Sequence, residues 1–274
     1  MKDRYIGALH VALAAISWSF AGVFSKSIPW SSVTQNGCRS LIAALLLALA
    51  RGGFRVNLTR GNVLGALGVA LTGVLFLWST KLTTAANAIV LQYAMPAFVI
   101  LFCWLFYHQR PSRFSLIIAG CIMLGVVLCS WQGLAGGNPL GDALAVLAGV
   151  TFALVFFCAR MPGANSQDYS YLGVLLCAPT ALYGFFDPAM TLDPRHWLMA
   201  AGLGVCLAGG YFFISKSMRR VSPVTAALLS NLEPILNPVW VFLFVGEKPG
   251  PLTVIGAFIV LASATVYAIG EKQS

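Results

Sequence analysis

The chain has 274 residues, of which 59% are hydrophobic and only 9% charged, with a mean hydropathy of +0.84. Its 17 basic and 8 acidic residues cannot cover the surface of a water-soluble globule, and the recurring apolar runs exclude disorder, collagen, coiled coil and a secreted disulfide scaffold. The net charge of +9 is spread through short gaps between those runs, which reads as membrane topology rather than as a nucleic-acid surface.

A bilayer core about 30 Å thick takes roughly 20 helical residues. On that length the sequence predicts an all-α integral membrane protein with ten spans: Tyr5 to Ser25, Ser32 to Ala50, Asn62 to Thr80, Ala85 to Tyr107, Ser112 to Trp131, Gly141 to Ala159, Tyr169 to Phe186, Trp197 to Ser217, Val224 to Val245, and Leu252 to Gly270. The basic start and apolar run at the amino terminus have the form of a signal peptide. That run continues to about Phe24 and its pattern returns later, so it reads as a first span. Turn-forming residues fill the joins, such as GGNPLGD before the sixth span and GEKPGP before the tenth.

With a cytoplasmic amino terminus, 12 of the 17 Lys and Arg fall on that side and four (Lys26, Lys81, Arg195, Lys248) on the other, while Arg39 lies within a span. The positive-inside rule then places both termini in the cytoplasm of a bacterial inner membrane. The seven cysteines lie in apolar runs without a CxxC pair or a neighbouring His, and read as small buried hydrophobes.

The chain also resembles itself. The first span laid on the sixth at an offset of 134 (141 − 7) aligns Gly7 with Gly141, Leu13 with Leu147, Ala14 with Ala148, Ser17 with Thr151, Trp18 with Phe152 and Lys26 with Arg160. The fourth and ninth spans align at 138 (234 − 96), placing Lys81 on Arg219, Thr84 on Ser222, Ala88 on Ala226, Leu91 on Leu229 and Pro96 on Pro234. Two nearly equal offsets predict a five-plus-five repeat, residues 1–136 and 137–274. Because five is odd, the second copy is inverted in the membrane, an arrangement that favours alternating access to a midplane site between the halves.

The run LLSNLEPILNPVWVFLFVGEKPGPLTVIGAFIVLASATVYA, Leu228 to Ala268, resembles the carboxy-terminal signature of EamA-type transporters of the drug/metabolite transporter superfamily. AIVLQYAMPAFVILFCWLFYHQRPSRFSLIIAGCIMLGVVL repeats that pattern in the first half, Arg39 in QNGCRSLIAALLLALA sits where the family often has an Arg, and LAAISWSF is similar to its first span. The resemblance covers nearly the whole chain. It implies ten helices, an inverted repeat, and a cavity lined by the first, third, fourth, sixth, eighth and ninth spans. The first half departs from the family's Glu-Pro pair by having Met95 before Pro96, so only Glu233 carries the acid.

Glu233 stands about ten residues into the ninth span, where a charge costs on the order of 3 kcal/mol; it is either a pathway or proton site or a neutral residue hydrogen-bonded in the bundle. Proline lacks an N–H, so Pro96, Pro234 and Pro238 free the carbonyls of Gln92, Ser230 and Pro234, and Gln92 and Ser230 occupy the same repeat position. Trp18, Phe152, Tyr93 and Tyr211 are aromatic candidates for the same site, with ordinary helix packing as the alternative. Trp78 lies nearer the outer face, as an interfacial anchor or a further wall. His10 is expected to pack near the cytoplasmic end, and Arg39 to snorkel to the outer interface in orientation or gating.

These residues form no catalytic set, phosphate loop or metal-ligand cluster, so neither an enzyme nor a cofactor is expected. The favoured function is a secondary transporter, an exporter of amino acids or aromatic solutes, because aromatic walls and one acid suit an apolar ring with an ammonium group. A proton-coupled transporter of drugs or quaternary-ammonium cations is the alternative, and a membrane-embedded enzyme or scaffold a distant one. The expected partners are a small molecule, membrane lipid and, for coupling, protons; facilitated diffusion, exchange, and a monomer or a homodimer all stay open.

Overall fold

The computed structural model describes residues 2–83, 85–131, 138–245 and 250–270, and among them the regular structure is entirely helical. In chain order the α-helices are α1 (Lys2–Ser19), α2 (Ala21–Lys26), α3 (Ser32–Arg51), α4 (Arg60–Leu82), α5 (Ala85–Gln92), α6 (Met95–Tyr107), α7 (Arg113–Ser130), α8 (Pro139–Phe157), α9 (Ser166–Cys177), α10 (Pro194–Ser217), α11 (Pro223–Ser230), α12 (Glu233–Val245) and α13 (Pro251–Gly270). Among the described residues, seven helical stretches are long and apolar enough to cross a membrane, and Arg113–Leu128 and Val254–Tyr267 are shorter apolar helices. The chain is a multi-pass membrane protein.

Local chemistry sets the helix ends. Ser31, Thr59, Asn138, Asp193 and Ser222 each cap a following helix by accepting a backbone N–H, with Pro139, Pro194 and Pro223 in the first turn, where a missing N–H costs nothing. Gly52 ends α3 at φ 78°, a left-handed cap that suits a residue without Cβ.

Three predicted spans are interrupted. The first breaks at Phe20, between α1 and α2. The fourth breaks at Tyr93 and Ala94 and the ninth at Asn231 and Leu232, positions 138 apart (231 − 93), each directly before the Met-Pro or Glu-Pro pair. Loss of the proline N–H lets the helix stop and restart there. The seventh span changes from α9 to a 3₁₀ helix, Ala178–Phe186, where Pro179 enters.

Packing partners come in corresponding pairs: α1 lies on α10 as α4 lies on α8, while α11 and α12 meet α1 as α5 and α6 meet α8. The helix α3 packs on α9 and its 3₁₀ continuation, and α7 on α13. Gly7 and Gly141, matched in the sequence, each pack on the turn that follows the partner helix. A Cβ on Gly7 would lie 2.6 Å from Val221 Cγ1, and one on Gly141 2.7 Å from the Thr83 nitrogen, so both close approaches favour a glycine.

The surface is inverted relative to a soluble protein. On α3, Leu41, Leu45 and Leu49 recur every fourth residue and are each at least half exposed, as a lipid-facing stripe requires. The opposite stripe of the same helix is polar and faces inward.

Candidate functional site

Between the helices lies a cavity of about 410 Å³, within the range of small-molecule sites. Its floor lies beside the helix breaks, where Trp18, Gln92, Tyr93, Phe152, Tyr211, Glu233 and Pro234 line it. From there the lining runs through Phe76 and Gln35 to Ser25, Ser32 and Leu77, at the helix ends on the face opposite the Gly52 turn. Toward the Gly52 face, aromatic contacts lie between the helices beyond the cavity lining. Tyr107 stacks on Phe157 at 4.7 Å and donates its hydroxyl to the Phe157 carbonyl, and the buried Tyr169 donates to the Val155 carbonyl.

The aromatic wall is built around Trp18. Its indole meets Phe152 edge-on at 5.9 Å and Tyr211 edge-on at 5.4 Å, and all three rings are at most 8% exposed. Gly210 makes this possible, since a Cβ there would overlap the indole ring. Gly149 has the matching role on α8, letting that helix approach the Gln92 carbonyl beside the break.

The polar side of the cavity holds opposite charges. Glu233, partly buried at the first turn of α12, lines this side together with the buried Tyr93. Arg39 donates from Nε and Nη2 to Asn36 Oδ1 at 3.2 and 2.8 Å, a contact that fixes the guanidinium plane. Arg39 and Glu233 both line the cavity without closing an ion pair within 4.0 Å. Gln92 is 8% exposed and its Oε1 has no hydrogen-bond partner.

Six of the eight predicted site residues thus line one cavity: Trp18, Gln92, Tyr93, Phe152, Tyr211 and Glu233. The structure places the other two elsewhere. Trp78 is 54% exposed on the outer side of α4, and Ser230 is buried with its hydroxyl bonded back to the Ala226 carbonyl of its own helix. Pro234 lines the cavity and Pro96 is buried at the start of α6, while the surroundings of Pro238 lie outside the described residues. His10 stacks on Phe213 at 6.2 Å.

Arg39 is a correction. Expected to snorkel outward, it points inward, because α3 presents a whole polar stripe to the cavity: Ser32, Gln35, Asn36, Arg39 and Ser40. Their spacing of three and four residues was the available sequence signal, since such a stripe on one face of a membrane helix turns away from lipid. The cavity also has walls from α3 and α9, the second and seventh spans, which the resemblance did not include.

Two contacts tie the ends of α3 to the seventh span. On the Gly52 face, Arg51 pairs with Asp168 at 2.6 Å, both side chains 10% exposed, and sits over the Tyr171 ring. On the opposite face, Asp187 accepts from the Ser31 nitrogen, the Thr34 hydroxyl and the Ala189 nitrogen. Burial disfavours the Asp187 carboxylate, but these hydrogen bonds outweigh it and hold the carboxyl at about 2.

The EamA-like transporter family matches residues 5–131 and again 139–269. The chain belongs to that family. The pseudopaline exporter CntI of Pseudomonas aeruginosa (strain UCBPP-PA14) is 25% identical to this EamA-like chain over 283 residues, 97% of either protein. The threonine/homoserine exporter RhtA of Escherichia coli (strain K12) is 25% identical over 219 residues, 75% of this chain and 71% of its own. One solved crystal structure superposes at a TM-score of 0.81 over 99% of the EamA-like chain and 100% of its own, with 18% identity, a likeness of fold.

Proposed function

We propose that this chain is a secondary transporter that exports amino acids or aromatic solutes across a bacterial inner membrane by alternating access. The observation that carries the reading is the cavity itself: its lining reaches the helix ends on one face but not those on the Gly52 face, and it is walled by helices from both halves of the chain. The two family matches, the corresponding helix pairs and the breaks 138 residues apart support an inverted repeat of residues 1–136 and 137–274 with ten spans. Exchange of the two halves' conformations then converts access from one face into access from the other. With both termini in the cytoplasm, the open face is the periplasmic one.

Trp18, Phe152 and Tyr211 supply the apolar surface, Gln92 and Tyr93 orienting polar groups, and Glu233 the counter-charge for an ammonium group or the carrier of a coupling proton. The similarity to CntI and RhtA supports export over uptake. A transporter of organic cations is disfavoured by Arg39, whose positive charge faces the same cavity.

The test is uptake and counterflow by the purified protein in liposomes, against amino acids, nucleosides and organic cations, with and without a pH gradient. Glu233→Gln is nearly isosteric and cannot titrate, so it is expected to keep the fold and lose most net transport. If Glu233 only carries the proton, the variant still exchanges solute across the membrane, because exchange moves no net proton. A Gln variant that binds and transports like the parent at every pH makes Glu233 a structural hydrogen-bonding residue.

A further inference from the structure

Two opposite charges in a shielded cavity ordinarily collapse into an ion pair, because their attraction grows as water is excluded. Arg39 and Glu233 line one cavity and do not. Asn36 holds the guanidinium by its Nε and Nη2 edge, which leaves Nη1 without a hydrogen-bond partner among the described residues. On the other side, Glu233 and Tyr93 line the cavity together. Gln92 adds a buried acceptor, Oε1, that no protein donor satisfies, and an unsatisfied buried acceptor is costly unless something else fills it. The aromatic edges of Trp18, Tyr211 and Phe152 face the same space.

Such a constellation is neutral in sum but divided in charge. A ligand of matching form carries a carboxylate for Arg39, an ammonium group for Glu233 and Gln92, and an apolar side chain for the aromatic wall. A simple organic cation would satisfy Glu233 and leave Arg39 both unpaired and repelled, which is discrimination by penalty as well as by attraction. A simple carboxylate meets the converse penalty at Glu233.

We propose that Arg39 is the carboxylate anchor of the transported solute, a zwitterionic α-amino acid with an apolar or aromatic side chain whose ammonium group sits between Glu233 and Gln92. This assignment rests on the exporter reading above and narrows its substrate class. It also gives α3 a recognition role.

Competition binding to the purified full-length protein with three probes of shared ring and different charge tests it: L-phenylalanine, phenethylamine and 3-phenylpropionate. On the parent, phenylalanine is expected to bind at least about tenfold more tightly than either single-charge probe, the scale of one charge-assisted hydrogen bond. Arg39→Gln is expected to weaken phenylalanine by about tenfold or more and to leave phenethylamine unchanged or bound more tightly, because the repulsion is removed. Glu233→Gln is expected to do the reverse, weakening phenethylamine and sparing 3-phenylpropionate. Arg39→Lys keeps the charge, loses the planar fork, and is expected to fall between parent and Gln; it serves in place of Gln if thermal unfolding shows that Gln does not fold.

Equal weakening of phenylalanine and phenethylamine in Arg39→Gln, or none, overturns the anchor. Tighter binding and export of phenethylamine than of phenylalanine also overturns it while leaving the exporter reading intact. If none of the three probes binds the parent although another solute is exported, the zwitterion assignment fails and the exporter reading survives. If no solute is transported, both fail together.

Discussion

Replacement of Gly210 by alanine probes the aromatic wall with one carbon atom. On the backbone as it stands, the new Cβ would overlap Nε1, Cε2 and Cδ1 of Trp18, so the indole must move by roughly an ångström or more to recover an ordinary separation of about 3.5 Å. The ring has little freedom, since it is 8% exposed and held edge-on by Tyr211 at 5.4 Å and Phe152 at 5.9 Å. Its one way out is into the cavity. Overpacking of this kind costs about 1–3 kcal/mol, and disrupting the two aromatic contacts about 0.5–1.5 kcal/mol each. Alanine's helix preference returns about 0.5–1 kcal/mol, so the expected net loss is about 3 kcal/mol, with the cavity partly filled. The neighbouring Gly209 is the control: a Cβ there comes only to 3.1 Å from the Ser17 hydroxyl and 3.4 Å from its Cβ, so Gly209→Ala should be neutral to slightly stabilising. Thermal unfolding in detergent and transport in liposomes measure both variants. Trp18→Phe on the Gly210→Ala background should recover stability beyond additivity, because the smaller ring relieves the overlap. A Gly210→Ala protein that unfolds and transports like the parent would refute the placement of Trp18 against α10 and the wall built on it.

The Asp187 contact has a defined pH signature. Its folded value of about 2 lies below the ordinary 3.8, so the carboxylate contributes about 2 kcal/mol that is complete above about pH 5 and is lost as pH falls through 4 toward 2. Unfolding temperatures of the parent and Asp187→Asn should therefore differ near pH 6, differ by about half as much near pH 3 and converge toward pH 2; a constant difference rejects the mechanism. Topology can be read with Gly53→Cys, where a Cβ meets nothing within 4 Å, and Leu192→Cys, a position 85% exposed. In intact cells a membrane-impermeant maleimide should label position 192 and should reach position 53 only after permeabilisation; the reverse pattern inverts the proposed orientation.

Membrane character, the limits of most helices and the prolines beside two of the three breaks could be read from the sequence alone. Each depends on local chemistry: the length of an apolar run, a capping residue, or a proline that withholds its N–H. The 138-residue offset that aligned Pro96 with Pro234 also separates the breaks at Tyr93 and Asn231, because the same missing hydrogen bond acts in both halves, but the predicted fourth and ninth spans ran through those positions unbroken. Tertiary structure decided which face of each helix turned inward. Ser230 shares a repeat position with Gln92, yet it satisfies its hydroxyl on its own Ala226 carbonyl and stays out of the cavity, whereas a glutamine amide is too long to do so. Trp78 lies on the lipid side of α4 while Phe76 and Leu77 line the cavity, a difference of helical phase that hydrophobicity cannot encode when every candidate is apolar. Arg39 shows the same limit from the polar side. Its depth in the span allowed either a side chain reaching out to the interface or one turned inward, and the choice fell to the packing of α3 against the seventh span, which turns the Asn36 and Arg39 face toward the cavity.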